Sequence, residues 1–247
     1  MSGPPPASPA DVDAVAHVIV DEPIDDLVID GPAGHHLVRV RRLRAGERIT
    51  AADGFGIWRE YRVVEVGARG LVAAAEGPRR IESTPPVGIA VAVAVTKGGL
   101  DDVVTAVTEL GAVRVVPLLT ERVVARWDPA RAERAGPRLG LVARAAAEQS
   151  RRARLPVIEP LTAVGDLVGR SGLVVADRSG LPAPLLAPPT EGEWTVVVGP
   201  EGGFSPEESR AFGSCPRLGL GPHVLRAATA PVAAVAALGA RLAEWSP

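Results

Sequence analysis

One stretch of the chain joins a buried strand, a glycine turn and a helix start, and it constrains the fold more than any other. The three valines 196–198 are typical of a buried strand. The turn 199–203 (Gly-Pro-Glu-Gly-Gly) follows directly. Ser205 then fits a helix N-cap, Pro206 the first helical position, and Glu208 the third position of a capping box. A strand, a turn and a helix in this order predict an α/β fold with the turn at the carboxyl edge of a sheet.

The turn 199–203 has two interpretations that the sequence leaves open. Glycines allow backbone N–H and C=O groups to approach a ligand with no side chain between them. Alternatively, the glycines only provide the positive φ angles of a strand-to-helix connection. The chain contains neither a phosphate-loop pattern nor a GxGxxG pattern, which excludes an ordinary nucleotide-binding fingerprint.

The composition narrows the class of protein and the kinds of site. Of the 247 residues, 47% are hydrophobic and 23% charged, as in a globular protein with ample core material. The single cysteine, Cys215, excludes a disulfide framework, and the four histidines show no metal-ligand spacing. We therefore expect no metal. Neither a signal-peptide pattern nor a long apolar run is present, so we expect a cytoplasmic protein with no membrane contact.

The first third of the chain predicts a small β-barrel. The proline-rich residues 1–12 are expected to be a disordered tail. Residues 13–84 then read as short strands with turn signals between them. The predicted strands are Ala16–Val20, Leu27–Ile29, Glu47–Ala52, Ile57–Val66 and Leu71–Ala75, with a helix or turn at Gly34–Leu43 and a linker at Arg79–Gly88.

Arginines cluster on this predicted barrel. The cluster comprises Arg39, Arg41, Arg42, Arg44 and Arg48. Arginine makes bidentate phosphate contacts and stacks on bases, so one interpretation is a face that binds RNA. The other is a solvated surface, because Lys97 is the only lysine and arginine is used throughout.

Residues 85–247 alternate strand and helix, which predicts an α/β domain. Strands are expected at Ile89–Val95, Val113–Leu118, Leu173–Ala176, Thr195–Val198 and Arg217–Leu220. Helices are expected at 100–110, at Pro129–Gln149 with an interruption at Gly136-Pro137, and at 229–244 with Thr229 as N-cap. Glycine-rich turns follow two of the strands, at 199–203 and 219–222; if those strands are neighbours, the turns form one pocket lined by backbone.

A second group of arginines lies at the end of the helix predicted for Pro129–Gln149. Arg151, Arg152 and Arg154 are well placed to interact with the helix dipole. They would equally hold phosphate.

Five motifs together resemble one known family. They are Thr96-Lys97-Gly98 with Thr108–Gly111, Glu121-Arg122, Glu148–Arg152, Gly199–Gly203, and Leu218–Arg226, in this order and at sensible spacing. The combination is specific although each motif alone is not. From about residue 14 to residue 244, the chain resembles the RsmE family, a branch of the SPOUT superfamily that methylates N3 of a uridine in small-subunit ribosomal RNA.

The resemblance implies a fold, a cofactor and partners. The carboxyl-terminal domain is expected to be a SPOUT trefoil-knot α/β domain, and the amino-terminal domain a PUA-like β-barrel that docks RNA. S-adenosyl-L-methionine is expected as cofactor, in a homodimer that acts on small-subunit ribosomal RNA or on the assembled subunit. The implied cofactor residues are Val198, Gly199, Pro200, Glu201, Gly202, Gly203, Leu218, Gly219, Leu220 and Leu225. The implied RNA-binding residues are Arg39, Arg41, Arg42, Lys97, Arg151, Arg152 and Arg154.

Arg226 is the candidate catalytic residue. A cation near the uracil carbonyl oxygens would stabilise the anion formed when N3 loses its proton. Arg226 is equally placed to anchor a phosphate or carboxylate, and Glu201 either contacts the ligand or caps its turn.

The chain departs from the family pattern at several positions. Ala227 and Ala228 replace polar residues, Gly99 and Leu100 stand where a second lysine is common, and His223 replaces an arginine. Two alternatives therefore stay open. One is a SPOUT enzyme that methylates a ribose or another base, and the other is an RNA-binding relative with weakened catalysis.

Overall fold

The protein is described by a computed structural model. It describes residues 7–21, 25–95, 100–122, 127, 129–190 and 192–242, and only the backbone of residues 129 and 131. The chain divides into two compact units. The first comprises Met1–Thr84 with Ala147–Leu155, and the second Pro85–Ala146 with Pro156–Pro247. The first unit thus includes Ala147–Leu155, which lie within the stretch predicted to be the second domain, and the predicted domain bounds stay a prediction.

The first unit is built on one curled five-stranded sheet with the order β1-β3-β4-β5-β2. Strands β1 and β3 are parallel, and the other neighbours are antiparallel. Buried side chains of these strands, such as Ile49, Tyr61 and Val63, form its core. The elements are a 3-10 helix Pro9–Asp11, β1 Ala16–Ile19, β2 Asp26–Ile29, α1 Gly31–His35 continued as a π-helix His36–Val40, β3 Arg48–Ala52, β4 Ile57–Val66 and β5 Leu71–Ile81.

The second unit is built on a parallel sheet. The strand order is β12-β10-β11-β6-β7-β8, and β9 also pairs with β7. The strands are β6 Gly88–Ala94, β7 Arg114–Leu119, β8 Val157–Ile158, β9 Thr162–Ala163, β10 Leu173–Pro182, β11 Glu193–Val198 and β12 Arg217–Gly219. The helices are α2 Asp101–Glu109, α3 Pro129–Ser150, α4 Val164–Leu167, a 3-10 turn Ala183–Leu185, α5 Pro206–Ala211 and α6 Thr229–Arg241.

The central strands of this sheet consist largely of valine and alanine, because both faces of the sheet are covered and most of its side chains must therefore be apolar. Every residue of β6 is buried, as is the run Trp194–Val198 of β11. Helix α2 presents Val103, Val104 and Val107 to the same core. The sheet therefore brings the carboxyl ends of β10, β11 and β12 to one edge as neighbours.

The amino-terminal segment is structured earlier than predicted. Ser8 caps the 3-10 helix Pro9–Asp11 with a capping box, and Val12 is buried in a cluster that includes Trp58. The prediction of a disordered tail through residue 12 is therefore wrong for residues 8–12. The proline-rich composition hid a local cap and an apolar anchor; residues 1–6 lie outside the described ranges.

Two further predictions are wrong, the start of the linker at residue 79 and the helix interruption at Gly136-Pro137. Strand β5 continues to Ile81 through pairs such as Trp58 with Arg80, so the linker does not begin at residue 79. Helix α3 continues through Pro137, which lies on its exposed side. The buried stripe Ala135, Leu139 and Ala143 holds this helix together despite the lost backbone donor.

Strand β12 meets β10 at very close range. Leu218 pairs with both Ala176 and Leu181, so residues 177–180 bulge between the two pairs. A Cβ added at Gly180 would lie 2.5 Å from the carbonyl carbon of Leu218, and one at Gly219 would lie 2.5 Å from the carbonyl oxygen of Gly180. Both glycines are therefore needed for backbone to pack directly on backbone.

Candidate functional site

The two predicted glycine turns come together in one cleft of the second unit. The cleft has a volume of about 550 Å³ and lies where β10, β11 and β12 end. Turn 199–203 forms one side and residues 218–227 form the other. Of the residues named from the sequence, those lining it are Val198, Gly199, Pro200, Glu201, Gly203, Leu218, Leu220, Leu225 and Arg226.

Two predicted cofactor residues do not line this cleft. A Cβ added at Gly202 would lie 3.8 Å from Cβ of Arg122, outside the cleft lining. Gly219 packs on the backbone of Gly180 instead. The positive φ of the turn, 66°, belongs to Gly203. Sequence spacing identified the two turns correctly but not which glycine of each turn faces the cleft.

Turn 199–203 is held by local contacts. The N–H of Gly203 donates to the carbonyl oxygen of Pro200 at 2.8 Å and closes the turn. A Cβ at Gly199 would lie 3.0 Å from the ring of Phe204, which itself packs edge-on against Phe212 with centroids 5.0 Å apart. The aromatic pair thus supports the backbone at the start of the turn.

Helix α5 begins as the sequence predicts. The Ser205 hydroxyl accepts from the N–H of Glu208 at 3.2 Å, and the Glu208 carboxylate accepts from the N–H of Ser205 at 2.8 Å. The predicted capping box is confirmed. Glu208 is only 7% exposed, and its other oxygen accepts from the N–H of Glu121 at 2.8 Å. Sequence reasoning did not find this last contact, which joins residues far apart in the chain.

Charged groups that the sequence analysis did not assign also line the cleft. They are Asp177, Arg178 and Arg217, and the imidazole of His223 lies beside them in the lining. Hydrogen bonds from the backbone N–H and the hydroxyl of Ser179, assisted by the nearby Arg217, hold the pKa of Asp177 below its ordinary value. Asp177 therefore stays ionised. Its position directly after a buried strand was the available sequence signal.

Arg226, the candidate catalytic residue, lines the cleft. Its side chain is exposed at the cleft, and no ion pair or hydrogen bond engages its guanidinium within the described ranges. Its carbonyl oxygen accepts from the N–H groups of Thr229 and Ala230 at 2.9 and 3.0 Å. The assignment of Thr229 as N-cap is wrong, because Thr229 is already the first helical residue of α6 and Ala228 is its N-cap, with no side chain that could accept a capping bond.

The two alanines that depart from the family pattern have different environments. Ala227 is buried and lines the cleft, whereas Ala228 is exposed. Ala227 therefore removes a polar group from the cleft wall itself.

The barrel arginines are exposed on the first unit. Arg39, Arg41 and Arg42 all lie in or directly after the π-helix. Arg41 donates to the carbonyl oxygen of Val15 at 3.1 Å. For Arg39 and Arg42, no side-chain partner occurs among the described residues. Arg48 differs, because it pairs with Glu76 at 3.2 Å.

A wide groove of about 1140 Å³ lies on the first unit, and its lining includes Val40, which lies between Arg39 and Arg41 in the chain. The lining carries both basic and acidic side chains: His35, His36 and Arg69, and Asp30 and Glu65. It also includes the exposed apolar side chains of Val28 and Val40. The groove thus offers apolar surface with charges of both signs, and the exposed arginines lie next to it in sequence.

The arginines after α3 bind their own domain. Arg151 donates to the carbonyl oxygens of Val12 and Ala14, and Arg154 to those of Phe55 and Glu82. Burial lowers the pKa of Arg152. This geometry favours a structural role for all three side chains, and their predicted contact with RNA stays a prediction. Lys97 lies outside the described ranges.

In the described part of the chain, no three His, Cys, Asp or Glu side chains form a group that could hold a metal ion. The described helices include none with the length and apolarity needed to cross a membrane.

Family models match most of the chain. An RNA methyltransferase domain matches residues 83–239, and an RNA methyltransferase PUA domain matches residues 29–75. The fold class predicted from the sequence, a SPOUT α/β domain after a PUA-like barrel, is confirmed.

Individual relatives agree with these models. The chain is 34% identical over 232 residues to ribosomal RNA small subunit methyltransferase E of Mycobacterium bovis, covering 88% of this chain and 87% of the relative. It is 32% identical over 223 residues to the Synechocystis protein of the same name, covering 84% and 71%. The crystal structure of the Neisseria gonorrhoeae enzyme bound to S-adenosyl methionine matches with a TM-score of 0.75 and 25% identity, over 90% of this chain and 96% of that one.

Proposed function

We propose that this chain, which belongs to the RNA methyltransferase family, transfers a methyl group from S-adenosylmethionine to N3 of a uridine in small-subunit ribosomal RNA. The observation that carries the proposal is the cleft formed by turn 199–203 and residues 218–227. Relatives named ribosomal RNA small subunit methyltransferase E support both the class of reaction and the substrate.

The residues of the cleft fit the cofactor. Its volume of about 550 Å³ suits a small ligand. Leu218, Leu220 and Leu225 provide apolar surface for a purine. Cβ atoms added at Gly203 and Gly221 would meet no atom within 4 Å, so ligand atoms have room beside this backbone.

The chemistry requires alignment and control of one proton. S-adenosylmethionine supplies an electrophilic methyl group on its sulfonium. Uridine N3 would have to lose its proton to solvent before or during that transfer, so negative charge would develop on the uracil ring. Arg226, exposed at the cleft, is suited to stabilise the uracil anion through its carbonyl oxygens. The cleft residues would orient the reacting atoms, and orientation of this kind can lower a barrier by about 7–11 kcal/mol.

We assign the RNA contact to Arg39, Arg41 and Arg42 with the groove beside them. The exposed guanidinium groups suit phosphates, and the apolar side chains of Val28 and Val40 suit unpaired bases. Because the proposed substrate is the small ribosomal subunit or its RNA, we also assign the enzyme to the cytoplasm.

The active species is proposed to be a homodimer. Leu181, Leu185 and Val224 are more than half exposed on the second unit, close in sequence to the bulge and to the cleft. A second copy would cover such side chains.

Reverse transcription tests the reaction and its site together. The protein is incubated with S-adenosylmethionine and either unmodified small subunits or free small-subunit RNA, and polymerase stops are mapped. An N3 methyl blocks the pairing edge of uracil, so we expect one new stop at a uridine that requires the cofactor. Light scattering of the same preparation is expected to give twice the chain mass of 25.5 kDa.

Two results would contradict the proposal. Methylation without a stop would mean a ribose or non-pairing position. Cofactor binding with no methylation of either substrate would favour a relative in which catalysis is weakened, with Ala227 as the first position to restore to a polar residue.

A further inference from the structure

The cofactor turn is joined to a distant segment by two hydrogen bonds. The N–H of Glu121 donates to the Glu208 carboxylate at 2.8 Å, and Nη1 of Arg122 donates to the carbonyl oxygen of Gly202 at 3.1 Å. Glu121 and Arg122 directly follow the end of β7, at the same edge of the sheet as the cleft. Residues 121 and 122 therefore hold the turn at Gly202 and hold helix α5, which follows it, at Glu208.

Glu208 has a larger role here than a capping residue needs. A capping box uses one carboxylate oxygen, which Glu208 gives to the N–H of Ser205. The second oxygen serves Glu121, and the side chain is almost fully buried. Each oxygen of the side chain thus accepts from one of the two N–H donors, whereas a glutamine here would offer a single acceptor oxygen.

Arg122 explains the orientation of Gly202. The carbonyl of Gly202 is held towards Arg122, and the added-Cβ position of Gly202 also faces that side chain rather than the cleft. Gly203, with its φ of 66°, then returns the chain to the cleft wall. The arginine thus fixes which backbone groups of the turn face the ligand.

We propose that Glu208 and Arg122 are positioning residues that hold turn 199–203 in the conformation that binds S-adenosylmethionine. The inference rests on the proposed function, since it assigns the turn to the cofactor. Loosening the turn lowers the fraction of molecules competent to bind, and the apparent Kd rises in inverse proportion to that fraction.

The test compares matched variants of the full chain by calorimetric binding of S-adenosylmethionine. Glu208→Gln keeps the size of the side chain but leaves one acceptor oxygen for two N–H donors. We expect its Kd to rise about tenfold if one molecule in ten keeps the binding conformation. Glu207→Gln changes the same type of side chain at the neighbouring exposed position, where the carboxylate pairs with Arg210, and should change Kd by less than about twofold.

Arg122 provides an independent variant on the exposed surface. Arg122→Ala should also raise Kd, and Arg122→Lys should recover part of the loss, because an ammonium can still donate to Gly202. Arg210→Ala is its control, since its side chain contacts Pro206 and Glu207 instead of the turn. With saturating cofactor, kcat should equal that of the unchanged protein, so the variants should raise KM for the cofactor alone.

The outcomes separate this inference from the proposed function. Failure of the unchanged protein to bind S-adenosylmethionine would overturn the cofactor cleft and the positioning role with it. Normal binding by the unchanged protein, together with equal Kd in Glu208→Gln and Arg122→Ala, would overturn the positioning role alone. If Glu208→Gln lowered the free energy of unfolding without changing Kd, the carboxylate would only cap α5. If it lowered kcat at unchanged Kd, Glu208 would act on RNA binding or on methyl transfer instead of on the cofactor.

Discussion

His17 shows at the scale of one residue how a titratable group becomes part of the core. Its Nε2 lies 3.0 Å from the carbonyl oxygen of Arg152, and its Nδ1 lies 2.8 Å from the hydroxyl of Thr50. Because a carbonyl only accepts, Nε2 carries the proton and Nδ1 accepts from Thr50. Burial, opposed in part by the bond to Arg152 and assisted by the charge of Arg151, lowers the pKa of His17 to about 4. The neutral ring therefore links the start of the chain to residue 152.

Acid should destabilise the protein through this ring. The pKa of His17 rises from about 4 in the folded chain to 6.5 in the unfolded chain, so stability is intact above pH 6.5 and is lost as the pH falls towards 4. We expect His17 to account for about 2 kcal/mol of lost unfolding free energy between pH 7.5 and pH 5. Urea denaturation at both pH values measures it.

Variants isolate the contribution of His17 from that of other groups. His17→Asn should be less stable at pH 7.5 and should lose less stability on acidification than the unchanged protein. His35→Gln, at an exposed position, is the control and should keep the full pH dependence. An unchanged slope in His17→Asn would assign the acid sensitivity elsewhere.

Single residues were predictable where the pattern is local. The capping box of Ser205 and Glu208 was predicted correctly because both partners lie within one helical turn. The bond from His17 to the carbonyl oxygen of Arg152 and the bond from Glu121 to Glu208 were missed, since nothing in either local sequence specifies a partner so far along the chain. The roles of Arg151, Arg152 and Arg154 were ambiguous for the same reason.

Between elements, the critical contact is the backbone packing of β10 against β12. Gly180 and Gly219 face one another without side chains, and neither has a positive φ. The need for glycine is therefore steric rather than conformational. Strand periodicity located β10 and β12 approximately, but their register and the bulge between them depend on contacts across the sheet.

Alanine at Gly180 should weaken this contact. Its Cβ would lie 2.5 Å from the carbonyl carbon of Leu218, and backbone cannot rotate away as a side chain can. We expect a loss of about 2 kcal/mol in unfolding free energy, as for other overpacked sites. Gly140→Ala in α3 is the control: its Cβ meets no atom within 4 Å, and it should stabilise the helix by about 0.5–1 kcal/mol. Chemical denaturation that gave both variants equal stability would contradict the assigned contact.

For the whole molecule, the alternation of strands and helices predicted the α/β domain, and the short strands predicted the barrel. The change of pattern after residue 84 also predicted a change of domain there. It could not show that residues 147–155 join the first unit, because that assignment depends on Arg151, Arg154 and His17 bonding to the amino-terminal part of the chain. The sequence predicted the two glycine turns that line the cleft. Only the strand order of the sheet showed that the two turns lie next to each other.

The RNA assignment for the whole enzyme is tested by salt. If Arg39, Arg41 and Arg42 contact phosphates, replacing all three with alanine removes up to three ion contacts and flattens the plot of log affinity against log salt by about two units. Cofactor affinity should be unchanged, because the cleft lies in the other unit. Replacing the exposed Arg134 and Arg210 of the second unit is the control and should leave the slope intact. An unaltered slope in the triple variant would mean that the RNA binds elsewhere, and the groove beside these arginines would then lose its assigned partner.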